Sequence, residues 1–156
     1  MKRTIGRVLK IFVIFLAAAF VLIQFIPYGR NHTNPPVVQE PAWNAPETRA
    51  MAVRACFDCH SNETIWPWYT NIAPVSWLTQ RDVDEGRHKL NFSDIANFGE
   101  EAGEAGETVL KGEMPPLQYF PTHPEARLND TERQQLAQGL DLTLGGESRS
   151  EGEGQD

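Results

Sequence analysis

The sequence predicts an all-α protein: a small helical domain carried behind one N-terminal transmembrane helix. Three observations predict it. An apolar stretch, KIFVIFLAAAFVLIQFIPY from Lys10 to Tyr28, has Gln24 as its only strongly polar interior residue. No later stretch alternates apolar and polar residues at period two, as a half-buried strand would. Proline and glycine instead divide the remainder into short segments with helical start and stop signals. At 156 residues the chain has room for one compact domain and not for two comfortable ones.

Counted from Val8, with Lys10 snorkelling, the apolar stretch reaches ~20 residues, enough for one helical span. A cleaved signal peptide would have a shorter apolar region followed by a small-x-small site. Here the run Ala17 to Ala19 sits mid-stretch and no such site follows Ile26, so residues 1–29 read as a retained anchor. Lys2, Arg3, Arg7 and Lys10 place the N-terminus in the cytoplasm, and the rest of the chain faces the periplasmic, extracytoplasmic side of the cytoplasmic membrane. Residues 1 to 30 carry five bases and no acid; the remainder carries nine bases against all 21 acids, a formal charge of −12. A body this acidic repels nucleic acid, which excludes it as a partner.

Residues 30–45 read as a proline-rich tether. Pro46 then suits the first turn of a helix, with Glu47 near its positive end, and ETRAMAVRACFDCH continues it with Met51, Ala55 and Ala52 as its apolar stripe. Residues 61–74 form a loop broken by Pro67 and Pro74. A second helix runs from Pro74 to about Lys89, with Trp77, Leu78 and Val83 as buried candidates. A short helix or turn follows Ser93, and another helix covers Glu100 to Lys111, weakened by Gly103 and Gly106 and ended by Gly112 before Pro115 and Pro116. The last helix opens at Asn129 with Glu132 three residues on, a capping-box start; Leu136, Leu140 and Leu144 face inward, and Gly145 and Gly146 end it. The folded domain is therefore residues 46–145, and residues 146–156 form a disordered acidic tail. So many loops around so small a core call for reinforcement, which a large apolar cofactor supplies.

CFDCH, residues 56 to 60, holds both cysteines of the chain. A zinc site would need four ligands, and no second cysteine pair exists to complete one. A thiol redox motif sits between an entering strand and a leaving helix; here a helix precedes and a proline-broken loop follows. A structural disulfide is compatible with an exported chain. Haem attachment alone uses every member of the motif: Cys56 and Cys59 form thioethers to one haem c, and His60 binds the iron from one face. For the opposite face, Met114 in KGEMPP stands between a glycine-ended helix and two prolines, a loop suited to presenting a thioether. His123, in PTHPEA, is the runner-up; His32 lies in the tether, His88 on a polar helix surface, and Met51 too near the motif. Trp66, Trp68 and Tyr69, with Trp77, Phe57, Tyr119 and Phe120, either wall the haem or pack an ordinary core.

CFDCHSNETIWPWYTNIAPVSWL, RDVDEGRHKLNFSD, GEMPP and HPEARLNDTERQQL together resemble the bacterial haem-binding domain family of small, membrane-anchored, cytochrome-c-like proteins. The resemblance runs from the anchor to Leu144 and implies a compact helical c-type cytochrome fold. By position it makes Cys56 and Cys59 the attachment residues and His60 the proximal ligand, and it matches Met114 to the methionine of Met-Pro loops in monohaem cytochromes. Three functions are compatible: a membrane-held electron carrier serving redox protein partners, a sensor or peroxidase-like enzyme with an open sixth position, and a haem-bearing subunit of a respiratory complex. A lone domain without an obvious acid–base constellation suits the first and third better than the second.

Overall fold

The computed structural model describes residues 2–97, 99 and 102–145, all helix, turn and loop, with no strand among them. Its α-helices are α1 (Lys2–Ile23), α2 (Pro46–Ala55), α3 (Phe57–His60), α4 (Val75–Lys89), α5 (Ala105–Leu110) and α6 (Asp130–Leu144). The acidic tail lies outside the described residues. The described residues divide into two compact units: those up to 33 with 66–82, and 34–65 with those from 83 on.

The first unit is built on α1, whose large apolar side chains are exposed from Ile5 to Leu22. A helix that is apolar all round finds its proper solvent in hydrocarbon, and Thr4–Ile23 is long and apolar enough to cross a membrane. The helix ends earlier than hydropathy alone predicts, at Ile23 and not beyond Gln24. Gln24 accounts for the stop. Its amide donates to the Phe20 carbonyl at 3.0 Å and to the Ala73 carbonyl at 2.9 Å, while its oxygen accepts from the Ala73 amide at 3.0 Å and from Arg30 at 3.1 Å. Pro27 and a left-handed Gly29 (φ 77°) then turn the chain away. Leu78, expected inside, is 58 % exposed. Val83 is buried as expected and Trp77 is half-buried.

The second unit holds the core: Ala52, Phe57, Leu90, Phe92, Ala102, Val109, Leu136, Ala137 and Leu140, with Trp43, Met51 and Leu144 packed against it. α6 lies against both α2 and α5. Its start is the expected capping box, Asn129 Oδ1 accepting from the Glu132 amide and the Glu132 carboxylate accepting from the Asn129 amide, both at 2.9 Å. Its end is a left-handed Gly145 (φ 76°), the conformation glycine adopts without a Cβ penalty. Of the helix expected over residues 100 to 111, residues 100 and 101 lie outside the described residues; from Ala102 a 3-10 turn to Glu104 passes into α5, which ends at Leu110. The tether is also less open than its prolines suggest. From Asn34 on it is laid along the unit, with the Val38 and Gln39 amides both donating to the Ser93 carbonyl and Asn62 donating to the Pro36 carbonyl.

Candidate functional site

Cys56 sits at the end of α2 as its C-cap, and Cys59 lies on the turn beyond. Cys56 (φ −127°, ψ −32°) breaks the helix, and Phe57 to His60 form a separate turn, α3. The amides of Cys59 and His60 both donate to the Cys56 carbonyl, at 3.2 and 2.9 Å. This winding puts residues three and four apart on one side, so Cys56, Cys59 and His60 share a face. Phe57 leaves by the opposite side. It is 4 % exposed and packs with Phe92 (centroids 5.5 Å apart) and Trp43 (6.3 Å). Phe57 is therefore core, the second of the two roles open to it.

Contacts with His60 and Cys59 hold the motif from outside. His60 Nδ1 donates to the Leu90 carbonyl at 3.1 Å, since a carbonyl only accepts, and the Phe92 amide donates to the His60 carbonyl at 2.8 Å. A proton held on Nδ1 makes Nε2 the nitrogen with the lone pair, the tautomer and orientation a metal-ligating histidine needs. α4 closes directly on the same turn at Gly86, where a Cβ would stand 2.4 Å from the Cys59 carbonyl oxygen. Next to it Arg87 donates from Nε to the Ser61 carbonyl at 2.8 Å, and from Nη2 to Thr64 and Asn34 at 3.0 Å. Burial holds its guanidinium below the ordinary range, against the opposing pull of Asp84 and Cys59.

Asp58 is the polar clamp. Its carboxylate accepts from the Ile65 amide at 2.8 Å and from the Tyr119 hydroxyl at 2.6 Å. Burial first, then the hydrogen bond to Asp58 and its charge, push the Tyr119 phenol well above its ordinary value, so it remains a donor. His123 stacks on Tyr119 (centroids 3.8 Å apart) with Nε2 3.7 Å from Asp58 Oδ2. His123 is therefore engaged with Tyr119 and faces the Asp58 carboxylate. Met114 stands on the loop after α5, 37 % exposed, and among the described residues no hydrogen bond or ring contact ties it to the motif.

Trp66, Trp68 and Tyr69 belong to the first unit, together with His32 and the end of α1. Trp66 stacks on His32 at 4.6 Å, Trp68 meets Tyr69 edge-on at 6.0 Å, and His32 Nε2 lies 3.2 Å from the Thr70 carbonyl. Sequence reasoning missed Asp58, Gly86, Arg87 and the Leu90 carbonyl. Only Gly86 carried a signal, an isolated glycine within a helical pattern.

Thiol chemistry also bears on the choice among the motif's readings. Burial, and then the charge of Cys59, push the Cys56 thiol up to about 12. Reactive redox cysteines are shifted the other way, whereas a thioether carries no charge for burial to oppose. Cys56 and Cys59 are not joined in a disulfide. Among the described residues no group of three or more His, Cys, Asp or Glu converges as a metal site. The residues present therefore fit haem: two thiols and an oriented imidazole on one face of a fixed turn. A family model described as a haem-binding domain matches residues 18–141. Comparison with curated proteins and with solved structures finds no match.

Proposed function

The chain belongs to the haem-binding domain family, and from that premise we propose that it is a monohaem c-type electron carrier, held at the outer face of the cytoplasmic membrane by α1. Cys56 and Cys59 would hold the porphyrin edge through thioethers, His60 Nε2 the iron from one side, and Met114 from the other. Haem, when bound, supplies a one-electron couple at its iron, and a thioether ligand raises the potential of that couple. The chain's own part is to orient and to shield. The Leu90 carbonyl keeps the His60 proton on Nδ1, Gly86 lets α4 cover the Cys59 backbone, and Tyr119 with the Ile65 amide holds Asp58 between the two cysteines. The observation that carries this reading is the His60–Leu90 bond beside two cysteines on one turn. The acidic body suits docking to basic redox partners near the membrane, where anchoring raises their effective concentration.

The exposure of Met114 favours one second reading, an iron left open on its sixth side, as a sensor or a peroxide-handling enzyme has. Visible absorption of the full-length protein, made with a haem-attachment machinery present, decides both points. Haem that stays with the protein through acid–acetone extraction supports thioether attachment; Cys56→Ala with Cys59→Ala abolishes that resistance. Haem that extracts from the wild type refutes attachment. Ready carbon monoxide binding by the reduced wild type refutes Met114 ligation and with it simple electron transfer.

A further inference from the structure

The first unit binds its non-membrane part directly to the end of α1. Gln24 is the residue after the helix, and it makes two reciprocal bonds with the backbone of Ala73, at 2.9 and 3.0 Å. Gly29 comes so close to the start of α4 that a Cβ would lie 2.1 Å from the Ser76 carbonyl oxygen, and its φ of 77° also disfavours any side chain there. His32 adds the stack on Trp66 and the contact with Thr70. Residues 66–82 are thus fastened within hydrogen-bonding reach of the helix end, at the depth where hydrocarbon gives way to headgroups if α1 spans.

Beside the exposed Asn71, Arg81 and Asp82, this segment and the residues just after α1 show large apolar side chains to solvent. Trp68 is 76 % exposed, Phe25 80 %, Leu78 58 %, and Ile26, Tyr28 and Val75 are exposed as well. Val75 and Leu78 are three apart in the first turn of α4 and share its face. Tryptophan and tyrosine, each with an apolar body and a polar tip, concentrate at membrane interfaces for that reason. Charge points the same way. Beyond α1 the unit carries Arg30 and Arg81 against Asp82 alone, while every other acid of this acidic chain falls in the second unit. Anionic lipid headgroups attract such a surface and repel an acidic one.

We propose that Phe25, Ile26, Tyr28, Trp68, Val75 and Leu78 form a lipid-binding rim that seats the first unit in the headgroup layer, continuous with the span. The inference rests on α1 being a retained span, and the experiment separates the two. A benzophenone-bearing phenylalanine analogue is placed at position 68, at position 78 or at Phe12 within α1, in the full chain reconstituted in phosphatidylethanolamine–phosphatidylglycerol vesicles. Intact mass establishes that residues 1–29 are present, and the haem spectrum that each variant has folded. After illumination, lipid adducts at 68 and 78 in a yield comparable to that at Phe12 support the rim. Lipid adducts at Phe12 with none at 68 or 78 overturn the rim and leave the anchor standing. Protein adducts at 68 and 78 assign the surface to a protein partner and overturn it equally. Absence of lipid adducts at Phe12 removes the span and the rim together.

Discussion

Replacing Gly86 by alanine tests the contact that closes α4 over the CFDCH turn. The new Cβ would stand 2.4 Å from the Cys59 carbonyl oxygen, 2.9 Å from its carbon and 3.1 Å from its Cβ. The two nearest atoms are backbone, in a turn already bonded to the Cys56 carbonyl and to Leu90, so relief requires moving α4 or the motif itself. Overpacking costs about 1–3 kcal/mol, and a backbone partner this near belongs at the upper end, ~3 kcal/mol. Alanine in a helix interior recovers about 1 kcal/mol over glycine. The difference, roughly 2 kcal/mol, lowers the unfolding midpoint by roughly 8–16 °C for a domain of about 100 residues. Thermal unfolding of the full-length haem protein in detergent, followed by circular dichroism and by the haem band, measures it. Gly103→Ala is the control, because nothing lies within 4 Å of its Cβ position; it leaves stability unchanged or raises it slightly. A Gly86→Ala protein as stable as wild type, with equal haem content, would refute the packing argument.

Tyr119→Phe removes the 2.6 Å bond to Asp58 without changing the ring that stacks on His123. Because the acceptor is a carboxylate, denaturant unfolding should show a loss on the order of 1–2 kcal/mol, and an unchanged midpoint would show that the Ile65 amide holds Asp58 alone. Glu40 receives both Nε and Nη2 of Arg49, at 2.7 and 2.6 Å, and the Trp43 indole at 2.7 Å. The bond from Arg49, above all, keeps its carboxyl below the ordinary 4.5. A lowered folded-state value means stability that is present above pH 4.5 and is lost as pH falls through the folded value. Glu40→Gln should flatten that acid limb, and a limb identical to wild type would place its origin elsewhere. Met114→Ala should abolish the weak red charge-transfer band of a sulfur-ligated ferric haem, lower the potential and admit carbon monoxide; a wild type without the band refutes the ligand.

Features set by neighbouring residues were legible in the sequence. The two ends of α6 are local chemistry, a capping box at Asn129 and a glycine at 145, and both stand where the residues placed them. The end of α1 was not legible from hydropathy, which averages over a window, whereas the stop is set by Gln24 bonding a backbone 49 residues away. Leu78 looked like a core residue because it follows Trp77 in an apolar pair; only tertiary structure could show that the face it occupies is uncovered. At the site, the residue types of CFDCH announced their chemistry, but the partner that orients His60 is the carbonyl of Leu90. Every residue has a carbonyl, so no side-chain pattern can single that one out.

The ring cluster of Trp43, Phe57 and Phe92 also carries a consequence in time. A chain is made amino end first, so the CFDCH turn is made well before the last of these rings. Thirty-two residues separate His60 from Phe92, and at ribosomal speed that is roughly two to six seconds. During that interval Phe57 has no Phe92 to pack on, the Leu90 carbonyl has not arrived to orient His60, and Gly86 has not closed over Cys59. Until residue 92 has been made, the ring cluster behind this turn cannot close, so the turn depends on chain that follows it by a long interval.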